Sequence, residues 1–77
     1  MNIDNIVCLA AIRRDLQKQY RYESRDARNH NFEVLYHGWR QKGIRHGRSH
    51  QYYSVSWKRG WISRRDADDL RKYIGLS

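Results

Sequence analysis

The sequence predicts one α+β domain over residues 1–77, ordered α-β-β-β-α, with two helices covering one face of an antiparallel three-stranded sheet. Three observations lead there. Apolar residues recur at three- and four-residue steps near both ends of the chain. Its middle holds short stretches in which apolar and polar residues alternate, and glycines punctuate the ground between them. With 77 residues the core must be small, since a chain of this length buries only about 60% of its unfolded surface.

The first helix is expected over residues 4–20. Ile6, Leu9, Ile12, Leu16 and Tyr20 share a face, Val7 and Ala10 widen it, and Asp4 is placed to cap the start. Cys8 falls near the buried edge as a small hydrophobe. Over residues 21–31 charges of both signs leave no apolar stripe, so the helix continues weakly and closes at Asn29-His30-Asn31, where Asn tolerates left-handed backbone.

Residues 32–37 form the first strand, with Phe32, Val34 and Tyr36 on one side, and Gly38 turns the chain out of it. Residues 39–49 are basic and interrupted by Gly43 and Gly47, which predicts a long loop or twisted ribbon. Residues 51–57 alternate cleanly. Tyr53, Val55 and Trp57 are assigned to the core and Tyr52, Ser54 and Ser56 to the outer face. After a turn at Lys58-Arg59-Gly60, Trp61-Ile62 forms a brief third strand. Ser63-Arg64-Arg65-Asp66 reads as a capping box that opens the last helix. Ala67, Leu70, Tyr73 and Ile74 are its apolar face, its acids lie in the first turn and its bases in the last, and Gly75 closes it.

Charge is distributed unevenly. Residues 34–65 contain eight Lys or Arg and no Asp or Glu, while the other eight bases are balanced by all eight acids, so the formal +8 belongs to that window. It also holds every Trp and three of the four His. Cations interleaved with planar rings suit a polyanion that has faces to stack on, which is a nucleic acid, RNA or DNA. Arg40, Lys42, Arg45 and Arg48, then Lys58 and Arg59, are the expected phosphate contacts; Trp39 and Tyr52 are the expected stacking residues. His50 is expected at a strand edge, adding a hydrogen bond or, when protonated, one more phosphate contact.

Other classes find less support. Scattered His and one distant Cys do not make a metal site, and no phosphate-binding glycine loop, nucleophile elbow, carboxylate pair or dinucleotide fingerprint occurs, so neither metal nor cofactor is expected. A lone Cys8 excludes an intramolecular disulfide and points to a reducing compartment. The apolar run over residues 6–12 is far short of the roughly 20 residues that span a bilayer, and Asp4 stands where a signal peptide carries bases. A cytoplasmic protein without membrane contact is the expectation. Much of the apolar area is aromatic, which leaves burial of rings in a homodimer open.

Gly47-Arg48-Ser49-His50-Gln51-Tyr52-Tyr53 resembles the Gly-Ser-His-aromatic segment of HicA-type messenger-RNA interferase toxins, and residues 69–77 resemble their closing helix. The resemblance covers about a quarter of the chain, and Arg48 stands where the family has Gly. It implies the double-stranded-RNA-binding-domain fold and a catalytic role for His50. The leading expectation is a small non-enzymatic nucleic-acid-binding regulator or accessory factor. The alternatives are a HicA-like ribonuclease, with His50 as general base, and a small inhibitor that docks on a larger protein or nucleoprotein machine.

Overall fold

Two three-residue strands join distant parts of the chain. β1 (Ile6–Cys8) pairs antiparallel with β2 (Trp61–Ser63), Ile6 opposite Ser63, Val7 opposite Ile62 and Cys8 opposite Trp61. The Leu9 N–H continues the ladder to the Gly60 carbonyl at 2.8 Å. The computed structural model describes residues 5–76. Each strand runs straight into a helix: β1 into α1 (Leu9–Tyr20), β2 into α4 (Arg64–Ile74). Between them lie α2 (Arg25–Arg45) and α3 (His50–Arg59).

The α-β-β-β-α order with a three-stranded sheet is therefore incorrect. The described residues form β-α-α-α-β-α, mostly helical, with a two-stranded sheet. The double-stranded-RNA-binding-domain fold implied by the toxin resemblance is absent with it. Of the three expected strands only the last is present, as β2.

The first helix starts later than expected. Ile6 and Val7 fit a helical stripe but are taken by β1, and Cys8 is the exposed residue that precedes α1, with no side-chain cap. Asp4, the expected cap, lies outside the described residues. Leu9, Ile12 and Leu16 are buried as the helical spacing requires, whereas Tyr20 is 49% exposed. α1 then stops at Arg21, which is left-handed (φ 49°) and sends its N–H to the Gln17 carbonyl.

A new helix follows where a weak continuation was expected. The Ser24 hydroxyl accepts the Ala27 N–H at 3.1 Å and Asp26 lies in the first turn, which together start α2. α2 then runs through Asn29-His30-Asn31, the supposed stop, and through the supposed strand at 32–37. Its buried seam is Phe32, Tyr36 and Trp39, at steps of four and three. Val34, assigned to the same side as Phe32 by alternation, is 55% exposed. Six alternating residues cannot outweigh a seam that buries three aromatic rings.

Gly38 and Gly43 are not turns. Gly38 lies under the Tyr73 phenol of α4 and Gly43 under the Tyr53 phenol of α3, and a methyl group at either would overlap the ring. Glycine is used here for close approach of a helix to a side chain. The turn proper comes at residues 46–49: Gly47 is at φ 97°, the Arg48 N–H reaches the Gly43 carbonyl at 3.0 Å, and the Ser49 hydroxyl caps α3 through the Gln51 N–H at 3.2 Å.

The expected strand at 51–57 is α3. Tyr53 is buried as assigned, but with Ser56, one helical turn on, rather than with Val55 and Trp57, which are 43% and 37% exposed. Ser56 is tolerated inside because its hydroxyl donates to the Tyr52 carbonyl at 2.9 Å. Gly60 (φ 83°) ends α3 and frees the chain for β2. The last helix follows the expectation except at Tyr73, which is exposed: the Ser63 hydroxyl accepts the Asp66 N–H at 3.2 Å, Ala67, Leu70 and Ile74 are buried, and Gly75 (φ 81°) closes it. Asp15 of α1 and Arg71 of α4, 2.6 Å apart, join the two helices that follow the strands. Among the described residues no helix is long and apolar enough to cross a membrane.

Candidate nucleic-acid interface

The basic window folds into the second half of α2, the turn after it, α3, β2 and the first residues of α4. Its cations end on two sides of α2. Toward α4 is a polar cleft of about 800 Å³, lined from α2 and the turn by Lys42, His46 and Arg48 and from α4 by Arg64, Arg65 and Lys72. Asp66, Asp68 and Asp69 share it. Toward α3 is a groove of about 510 Å³ that contains Arg40 and Lys58, flanked by His30 and His37, with Glu33 as its one carboxylate among the lining residues.

Carboxylates engage the cleft. Arg48 donates to Asp66 at 2.7 Å, and this hydrogen bond raises the guanidinium pKa further, against the cost of its partial burial. Asp66 is itself only 7% exposed and also accepts from the Ser63 hydroxyl at 2.9 Å, so one carboxylate ties the turn after α2 to the start of α4. The Trp39 indole N–H donates to Asp69 at 2.7 Å, fastening α2 to α4. Lys42 lies over the Tyr73 ring at 5.9 Å.

The groove is built differently. Its floor is Tyr36 and Trp57, with Val34 at the edge. Trp57 stacks on Phe32, planes 20° apart at 6.0 Å, and leans on Tyr36 at 4.7 Å, so the core holds the indole in place while the residue remains 37% exposed. The Arg40 Nε is buried with no hydrogen-bond partner. The Tyr36 phenol donates to the Tyr53 carbonyl at 3.1 Å, and burial pushes its pKa up to about 12, with Arg40 among the charges that oppose the rise.

The structure thus brings Arg40 and Lys58 together in the groove and, apart from them, Lys42 and Arg48 in the cleft. Arg45 and His50 are exposed at the end of α2 and the start of α3. Arg59 lies on the Trp61 ring at 3.7 Å. The two stacking assignments need correction. Trp39 is 2% exposed within the core and offers no open face. Tyr52 is half-buried edge-on to Tyr53, with Arg48 over its ring at 5.8 Å. Trp57, assigned to the core, is the indole at the surface groove. Helical spacing would have found this set, because residues 30, 33, 34, 37 and 40 of α2 lie on one face, as do 54, 57 and 58 of α3.

No group of three or more His, Cys, Asp or Glu able to hold a metal occurs among the described residues. No family model matches the chain, and neither a curated protein nor a solved structure matches it significantly.

Proposed function

We propose that this chain is a small nucleic-acid-binding protein of the cytoplasm, a regulator or accessory factor that acts without chemistry of its own. The observation that carries the reading is the absence of any carboxylate from residues 34–65, a window whose eight cations fold onto consecutive elements around α2 and α3. A surface of this kind attracts phosphates and releases their counterions, with little regard to sequence.

The test is the salt dependence of binding to a labelled oligonucleotide. Affinity should fall log-linearly with salt, with a slope of about −0.7 to −0.9 per phosphate contacted and on the order of four to six contacts. Affinity unchanged between low and physiological salt, with tight binding to a protein instead, would favour an inhibitor of a larger machine. Cleavage of RNA that disappears in His50→Ala would make the protein a ribonuclease.

A further inference from the structure

We propose that the groove between α2 and α3 receives an unpaired nucleobase stacked on Trp57, with Arg40 and Lys58 holding the phosphates on either side. This rests on the nucleic-acid reading and narrows its ligand to a single strand. Of the three indoles, Trp39 is enclosed in the core and Trp61 carries the Arg59 guanidinium on its face at 3.7 Å. Trp57 is backed by Phe32 and Tyr36 and bounds the groove. A ring held in place by the core forms a rigid platform, and every base has a face to offer it.

The volume of about 510 Å³ is that of a small-molecule site. Its chemistry also fits a nucleotide better than an apolar ligand: the floor is aromatic, while Arg40, Lys58, His30 and His37 surround it. Arg40 lines the groove and is in neither of the salt bridges formed among the described residues, so its guanidinium can take a phosphate there. Glu33 adds an acceptor for the exocyclic amino group of a base. A base inside an intact duplex has both faces stacked and cannot enter, so the groove selects against double strands.

The experiment compares full-length protein binding to a fluorescein-labelled single strand of about twelve nucleotides, a length within the usual span of such sites, and to the matching duplex. The single strand should bind at least about tenfold more tightly, and Trp57→Ala should weaken it by about 5- to 100-fold, with Trp57→Phe retaining most of the affinity. The salt slope should be the same in all three proteins, because the phosphates contacted are unchanged. Since Trp57 also packs on the core, a second measurement keeps the wild-type groove: in Trp61→Phe, addition of the single strand should quench indole emission. Absence of quenching, equal affinity for duplex, or full affinity in a folded Trp57→Ala protein would overturn the stacking site while leaving nucleic-acid binding in place. No binding to either oligonucleotide at low salt would overturn both. Self-association lost in Trp57→Ala would instead assign the groove to a second copy of the chain.

Discussion

The two sides of α2 carry similar residues and use them in opposite ways. Toward α4, Arg48 is held by Asp66 at 2.7 Å and Trp39 by Asp69 at 2.7 Å, so a cation and an indole join elements of the fold. Toward α3, Arg40 keeps a buried Nε without an acceptor and Trp57 remains 37% exposed over an aromatic floor. A basic residue and a tryptophan do not by themselves signify a ligand. Carboxylates at the start of α4 tie that side of α2 into the fold, and among the described residues neither Arg40 nor Lys58 forms such a pair toward α3. Substitutions toward α4 should therefore change stability with little effect on affinity, and those toward α3 should do the reverse.

The largest effect should come from Gly43→Ala, which places a methyl against the Tyr53 phenol. Overpacking of this kind costs about 1–3 kcal/mol, and with a buried ring as the obstacle the upper end is expected, read as a lowered denaturation midpoint with an unchanged m-value. Asp66→Ala should follow. It removes the acceptor of both Arg48 and the Ser63 hydroxyl, and hydrogen bonds to a charged group are worth about 1.5–3 kcal/mol, less here because Arg48 is partly exposed. Retained oligonucleotide affinity in the folded protein is the sharper half of that test.

Tyr36→Phe, in the floor of the α3-side groove but itself buried, should cost about 1 kcal/mol at neutral pH through loss of the hydrogen bond to the Tyr53 carbonyl. It also carries a pH signature. The unfolded phenol ionises near its ordinary value of 10.0, whereas the folded one holds its proton to about 12. The stability contributed by the protonated buried phenol is thus complete below pH 10 and lost as pH rises from 10 toward 12. Chemical denaturation at a series of alkaline pH values should show this decline in the wild type and a shallower one in Tyr36→Phe. An unaltered decline would mean that another group causes it. A small effect on stability is expected from Arg40→Gln, within about 1 kcal/mol, although its salt slope should fall by about one contact.

What could be read from the chain depended on which periodicity stood alone. The start of α4 was legible, because Ser63 and Asp66 stand at capping distance just before apolar residues at helical spacing, and the Ser63 hydroxyl accepts the Asp66 N–H as that pattern requires, while the Asp66 carboxylate takes the Ser63 hydroxyl and Arg48. The face of α1 was legible at Leu9, Ile12 and Leu16 for the same reason. β1 was not: Ile6 and Val7 continue the helical stripe, and the strand exists only because Ile62 and its neighbours, almost at the other end of the chain, pair with it. α2 and α3 were misread because Phe32, Val34 and Tyr36, and again Tyr53, Val55 and Trp57, satisfy alternation as well as one half of a helical seam. Gly38 and Gly43 supported that error, since glycine at a close approach is indistinguishable in sequence from glycine at a turn. The Ser24-Arg25-Asp26 start of α2 was the signal that could have corrected it.

The site inherited the same error. Arg40 and Lys58, chosen by residue type, line one groove, but strand parity sent Trp57 inward, and a loop assignment left Trp39 outside. Exchange those two indoles and Arg40, Trp57 and Lys58 fall in one groove. Type tells which residues can bind an anion; period tells which of them share a surface.

The most direct test of the contrast uses two variants that each remove one positive charge, Arg48→Gln toward α4 and Lys58→Gln toward α3, each measured for denaturation and for single-strand affinity across a salt series. Arg48→Gln should lower stability by about 1 kcal/mol, a value already reduced for its exposure, and leave the salt slope unchanged. Lys58→Gln should leave stability within about 0.5 kcal/mol and reduce the slope by about one phosphate contact. Equal loss of affinity in both variants, with stability unaltered in both, would mean that the two sides of α2 are a single undifferentiated basic surface and would contradict the account.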